Sequence, residues 1–261
     1  MEIQEKKILV TGANGGIGTA LVKALLDKGA AKVYAAARST EAVAGRVSGG
    51  AGRVVAVRLD ITDEDSVAAA AEQCGDSDLV INNAGVNRCV GLLAPDGMAA
   101  ARREMAVNFF GTLAVCRAFA PMMAARGSGV IANVCSIIGM VNLPVNGTYC
   151  ASKAAVHSLI QGLRAELAPK GVRVVGIYPG PVDTRMTAGQ EMPKATPEQV
   201  AAAIVAGLEG DAEEIFPDPM SQEVHQGLLK DPKQVEREFA QMIPAAATEG
   251  PAKSGGGSGK V

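Results

Sequence analysis

The chain has 261 residues, of which 48% are hydrophobic and 20% charged, and 25 Lys+Arg against 27 Asp+Glu leave a net charge of −2. That length fits one domain near the upper limit of a single core, and the near-neutral balance without a Lys/Arg block excludes the basic footprint of a nucleic-acid or membrane-surface binder. The charged opening Met1-Glu2-Ile3-Gln4-Glu5-Lys6-Lys7 and the lack of an 18-residue apolar run argue against a leader or a spanning helix, so the expected location is the cytoplasm.

Lys7 to Val10 reads as a strand entering a Gly-rich turn, and apolar residues at helical spacing from Ile17 to Leu26 read as a helix stopped at Gly29. Strands follow over 32–37 and 54–59, the latter leading to Asp60, then a helix over 63–74 and a fourth strand over 79–82. A helical stretch over about 98–125 passes through Gly127-Ser128-Gly129 into a strand at 130–134, a helix over 149–167 and a strand over 172–178. This alternation calls for right-handed crossovers and an α/β fold with a parallel sheet covered on both faces. Further on, Thr196-Pro197-Glu198 opens a helix to Leu208, and 214–216 read as an edge strand. Residues 1–244 are expected to form one domain. The Ala/Gly/Ser/Lys tail over 245–261 has nothing to bury and is expected to be mobile.

Five scattered cysteines without a CxxC pair give neither a disulfide framework nor a zinc knuckle, and two isolated histidines give no metal site. Chemistry concentrates elsewhere. Between the first strand and helix lies Thr11-Gly12-Ala13-Asn14-Gly15-Gly16-Ile17-Gly18, whose glycines let the backbone approach a pyrophosphate at a helix N-terminus, although glycines also mark plain turns. The second strand ends at Ala37-Arg38-Ser39, where an NAD site carries a carboxylate. Arg38, with Ser39 as a second donor, favours the 2′-phosphate of NADP(H) over NAD(H); the bland alternative is a solvated arginine. Tyr149 and Lys153 stand four apart on one helix face, where an ammonium favours the phenolate, and Ser136 follows the 130–134 strand closely enough to reach the same pocket. Such a Tyr/Lys pair is also common on surface helices.

In order and spacing over about residues 6–216, the set resembles the single-domain short-chain dehydrogenases/reductases. It comprises Thr11, Gly12, Gly16 and Gly18, then Asp60, Asn82-Asn83-Ala84-Gly85, Asn108, Ser136, Tyr149 with Lys153, and Pro179-Gly180 with Thr184. The resemblance implies a Rossmann-type doubly wound sheet of about seven strands in the order 3-2-1-4-5-6-7. It further implies hydride transfer between NADP(H) and a carbonyl or alcohol. Tyr149 exchanges the proton, Ser136 bonds the carbonyl oxygen, Lys153 lowers the Tyr149 pKa and binds ribose, and Asn108 holds a relay water. Gly12, Asn14, Gly16, Ile17 and Gly18 hold the pyrophosphate, and Asp60 and Ile61 contact adenine. Asn83, Ala84 and Gly85 line the adenosine side, while Pro179, Gly180, Val182 and Thr184 hold the carboxamide end. Relatives pair their long helices into homodimers or homotetramers.

The segment 185–195 leaves a short lid and predicts an open or mainly apolar substrate pocket from Ile138, Met140, Leu143, Val145 and Met186, with Val86 and Cys89, and argues against a site dedicated to a highly charged substrate. Arg88 and Arg185 stand either as carboxylate binders or as solvated loop residues. Three readings follow. The first is a carbonyl reductase or alcohol dehydrogenase acting on a small molecule, and the second a 3-ketoacyl thioester reductase. The third, a non-catalytic NADP(H)-binding regulator, has no use for the intact Asn108, Ser136, Tyr149 and Lys153 set.

Overall fold

The computed structural model describes residues 1–45 and 52–242, so the 245–261 tail lies outside the described residues. Strands β1 (Lys7–Thr11), β2 (Lys32–Ala37), β3 (Val54–Arg58), β4 (Leu79–Asn82), β5 (Gly129–Val134), β6 (Val172–Ile177) and β7 (Glu214–Ile215) form one sheet. Its order is β3-β2-β1-β4-β5-β6-β7 and every pair is parallel, as the sequence led us to expect. Period-two alternation splits the strand residues between two apolar layers. Ile8 and Val10 face the layer formed with helices α1 (Gly16–Asp27) and α7 (Pro197–Glu209), through Leu21, Leu25, Ile204 and Leu208. Leu9 faces the other layer, formed with α3 (Glu64–Cys74), α5 (Thr112–Arg126) and α6 (Gly147–Leu167), through Val67, Phe119 and Ile160.

The long helix is continuous from α4 (Gly97–Glu104) through a π-helical stretch, Met105–Gly111, into α5. Its length and apolarity match a membrane span, but Val115, Cys116, Phe119 and Met123 are spent on the sheet. The π stretch widens the helix around Asn108, a local feature that the 3.6-residue apolar period does not register.

Three helices lie beyond the sequence reading: α2 (Thr40–Ala44), α8 (Pro219–Lys230) and α9 (Pro232–Ala240). The signal for the last two was present, because Asp218-Pro219 and Asp231-Pro232 repeat the cap-then-proline start of α7. Asp218 accepts from the Ser221 N–H at 2.9 Å, and Asp231 from the Gln234 N–H at 2.9 Å. Their apolar stripes are thin, with Val235 and Phe239 the buried residues of α9, so periodicity says little. Phe119 is among the largest fully buried side chains, so Phe119→Ala should lower unfolding free energy by about 3 to 5 kcal/mol in a denaturant titration. A loss under about 1 kcal/mol would contradict the packing described here.

Candidate active site

Because the strand order reverses between β1 and β4, their connections leave in opposite directions and open a crevice at the carboxyl edge of the sheet. A cavity of about 710 Å3 occupies it. Two connections meet at its floor, pinned through Thr11 and Asn83. The Thr11 hydroxyl oxygen accepts from the N–H groups of Asn83 and Ala84 at 3.0 and 3.1 Å. In return the Asn83 side-chain amide donates to the carbonyls of Thr11 and Gly12 at 2.9 and 3.2 Å. Asn83 therefore braces the turn with its amide while its residue lines the cavity. Gly12 has φ +65°, and a Cβ there would lie 2.8 Å from the Ala84 Cα, so the close approach of the two loops requires glycine. Gly12, Asn14, Gly16, Ile17 and Gly18 all face the cavity, with the N-terminus of α1 among them.

At the outer end, Arg38, Asp60 and Ile61 line the wall as expected, joined by Arg103, which the sequence reading did not single out. Asp60 accepts from the Thr62 hydroxyl at 2.7 Å and the Thr62 N–H at 3.0 Å. These bonds, with the nearby Arg38 and Arg103 charges, hold its carboxyl below the ordinary value. Ser39 departs from expectation. Its hydroxyl caps α2, accepting from the Ala42 N–H at 3.2 Å, and donates to Glu41 at 2.7 Å, so it is engaged locally and is not on the cavity wall.

At the inner end, Ser136, Tyr149 and Lys153 line the cavity together. The 21-residue α6 carries Tyr149 and Lys153 on one face, and Ser136 follows the end of β5. The Ser136 hydroxyl donates to the Pro179 carbonyl at 3.3 Å. Lys153 Nζ donates to the Val134 carbonyl at 2.8 Å and sits 5.7 Å from the Tyr149 ring centre. Burial pushes the phenol well above its ordinary value and pushes the Lys153 ammonium down. Asn108 is fully buried and its side chain is engaged at both ends. Oδ1 accepts from the Val86 N–H at 2.8 Å, and Nδ2 donates to the Val86 carbonyl and the Ser152 hydroxyl, both at 2.9 Å. Ser152 in turn donates to the Tyr149 carbonyl at 2.7 Å. Residue 85 must stay small, since a Cβ there would lie 3.2 Å from Asn108 Oδ1 and 3.7 Å from Lys153 Nζ.

Ala84, Gly85, Pro179, Gly180, Val182 and Thr184 line the same cavity, as do Val86, Ile138, Leu143 and Met186. Met140 and Val145 are not on the wall: Met140 packs against the sheet layer of α5 and α6, and the 144–146 turn presents Asn146 instead. Cys89 is also off the wall, its Sγ accepting from Gln190 at 3.6 Å. Met220 of α8, Phe239 of α9 and Met242 add cover, with Phe239 packed against Val141 and Val235.

Residues 6–194 match the short chain dehydrogenase family. The chain belongs to that family. Cis-4-hydroxycyclohexanecarboxylate dehydrogenase of Sinomonas cyclohexanicum is 37% identical over 227 residues, spanning 80% of this chain and 90% of the relative. The 2-(R)-hydroxypropyl-CoM dehydrogenase of Xanthobacter autotrophicus is 35% identical over 188 residues, spanning 69% of this chain and 75% of its own. Among solved structures, a short chain dehydrogenase from Burkholderia cenocepacia in complex with NADP superposes with a TM-score of 0.86 at 43% identity, covering 94% of this chain and 100% of that one.

The three tyrosines give a test of the site's electrostatics, because burial raises Tyr34, Tyr149 and Tyr178 alike. Folded values above the unfolded one mean stability that is intact below about pH 10 and lost as pH rises through the folded values. Phenolate absorbance should stay near zero in the native protein at about pH 11 and appear fully on denaturation. A native tyrosine ionising near its ordinary value would contradict this.

Proposed function

We propose that this short-chain dehydrogenase transfers a hydride between NADP(H) and a carbonyl compound or secondary alcohol. The observation that carries the reading is the convergence of Ser136, Tyr149 and Lys153 on a cavity whose other end is the Gly12–Gly18 turn. The turn fits a pyrophosphate, since the α1 N-terminus has no side-chain cap and no acidic residue in its first turn, and that turn lines the cavity. Arg38 fits a 2′-phosphate, with no carboxylate in its place at the end of β2. Asp60 and Ile61 would flank adenine, Ala84 and Gly85 the adenosine side, and Pro179, Gly180, Val182 and Thr184 the nicotinamide end. When bound, the dinucleotide supplies or accepts the hydride.

In this reading Ser136 donates to the reacting oxygen and Tyr149 delivers its proton there, two prepared donors meeting the charge that develops. A phenol held protonated by burial suits the reductive direction, because the alkoxide it meets is far more basic than a phenolate. Lys153, fixed by the Val134 carbonyl, presents its remaining N–H donors to ribose hydroxyls. Asn108 positions Val86 and Ser152 behind this group.

A carboxylate-bearing substrate is favoured by a specific observation: Arg88 and Arg185 both line the cavity, both are exposed, and neither has an ion-pair partner among the described residues. The Sinomonas relative is named for such a hydroxy acid.

Tyr149→Phe should cut NADPH-dependent ketone reduction by about 10² to 10⁴-fold while NADPH binding holds within a few-fold. Retained turnover would overturn the assigned proton donor. Arg38→Ala should raise KM for NADPH by about tenfold or more and leave KM for NADH within about twofold; equal effects would remove the 2′-phosphate role. A clear preference for ketoacyl thioesters over plain ketones would move the enzyme to the thioester class.

A further inference from the structure

Asn146 occupies the N-cap position of α6, where an asparagine side chain ordinarily accepts from the first free N–H groups of the helix. Here it makes no such bond. Its side chain is 6% exposed and lines the active-site cavity, yet Oδ1 has no hydrogen-bond partner among the described residues. A buried amide oxygen without a donor is unfavourable unless something in the cavity supplies one. Asn146 stands three residues before Tyr149, so one helical turn separates the two and both address the same space. Ile138 and Leu143, nearby in sequence, line the same cavity, so the amide stands among both apolar groups and Tyr149, a mixed wall of the kind that orients a ligand.

A hydroxyl meets an asparagine amide with both functions, donating to Oδ1 and accepting from Nδ2.

We propose that Asn146 reads a second, neutral hydroxyl on the substrate, so that the preferred carbonyl compounds are hydroxyketones and the alcohols diols. This rests on the oxidoreductase reading above and adds the substrate class. A carboxylate at the exposed Arg88 and Arg185 is compatible with it, since the hydroxyl that Asn146 reads is a separate, neutral group.

The test is NADPH-dependent reduction of cyclohexanone against its 2-, 3- and 4-hydroxy derivatives by the native enzyme, Asn146→Ala and Asn146→Asp, with NADPH binding measured on each variant as the check of fold. The native enzyme should prefer at least one hydroxyketone to cyclohexanone by about tenfold or more in kcat/KM, the margin of a hydrogen bond that a buried group otherwise lacks. Asn146→Ala should bring that ratio to within about twofold, and Asn146→Asp, which keeps an acceptor, should retain part of it. Ratios near one in the native enzyme, or a ratio unmoved in Asn146→Ala, would overturn the proposal and leave Asn146 holding a water. Absence of turnover for all four ketones would instead sink the oxidoreductase reading on which it rests.

Discussion

The site depends on the junction of the β1 and β4 ends, where Thr11 and Asn83 exchange hydrogen bonds in both directions. Parallel strands present their carboxyl ends at one edge, but loops leaving that edge are free to splay. Here the side chain of each loop binds the backbone of the other, so the Gly12 turn and the Asn83-Ala84-Gly85 turn form one unit. That unit sets the cavity floor, fixes where the α1 N-terminus points, and places Gly85 under Lys153 and Asn108. Both ends of the cavity take their position from it.

Most of the fold was legible because a buried parallel strand and an amphipathic helix differ in period and length. Short apolar runs such as Leu79–Asn82 stop at polar turn residues, while the α6 pattern persists for 21 residues. The elements that escaped are short or thinly apolar. α9 buries Val235 and Phe239 only, and its start is written in capping chemistry and not in periodicity.

For the site, residues fixed by backbone geometry were readable: the glycines of the first turn, Ser136 after β5, and Tyr149 with Lys153 on α6 all line one cavity. What failed was anything decided by local competition for hydrogen bonds or by side-chain direction. Ser39 was expected to face a phosphate, but the unfilled N–H of α2 and the Glu41 carboxylate are closer claims on its hydroxyl. Met140 and Val145 were placed in the pocket by proximity in sequence, whereas the turn at 144–146 presents Asn146.

The π-helical stretch carries a further consequence for how this sequence can change. A π turn amounts to one residue inserted into an α-helix, so deleting a residue between Met105 and Gly111 would restore regular winding. The flanking turns would keep their register, because the wider turn already absorbs the extra residue, and the loss would fall on the bulge itself. Cys116, Phe119 and Met123 would stay on the sheet, while Asn108 would lose its grip on Val86 and Ser152. Length at this point is therefore locked by the site and not by the core. Drift in this segment can proceed by exchange of side chains, whereas insertions and deletions belong to the exposed loops.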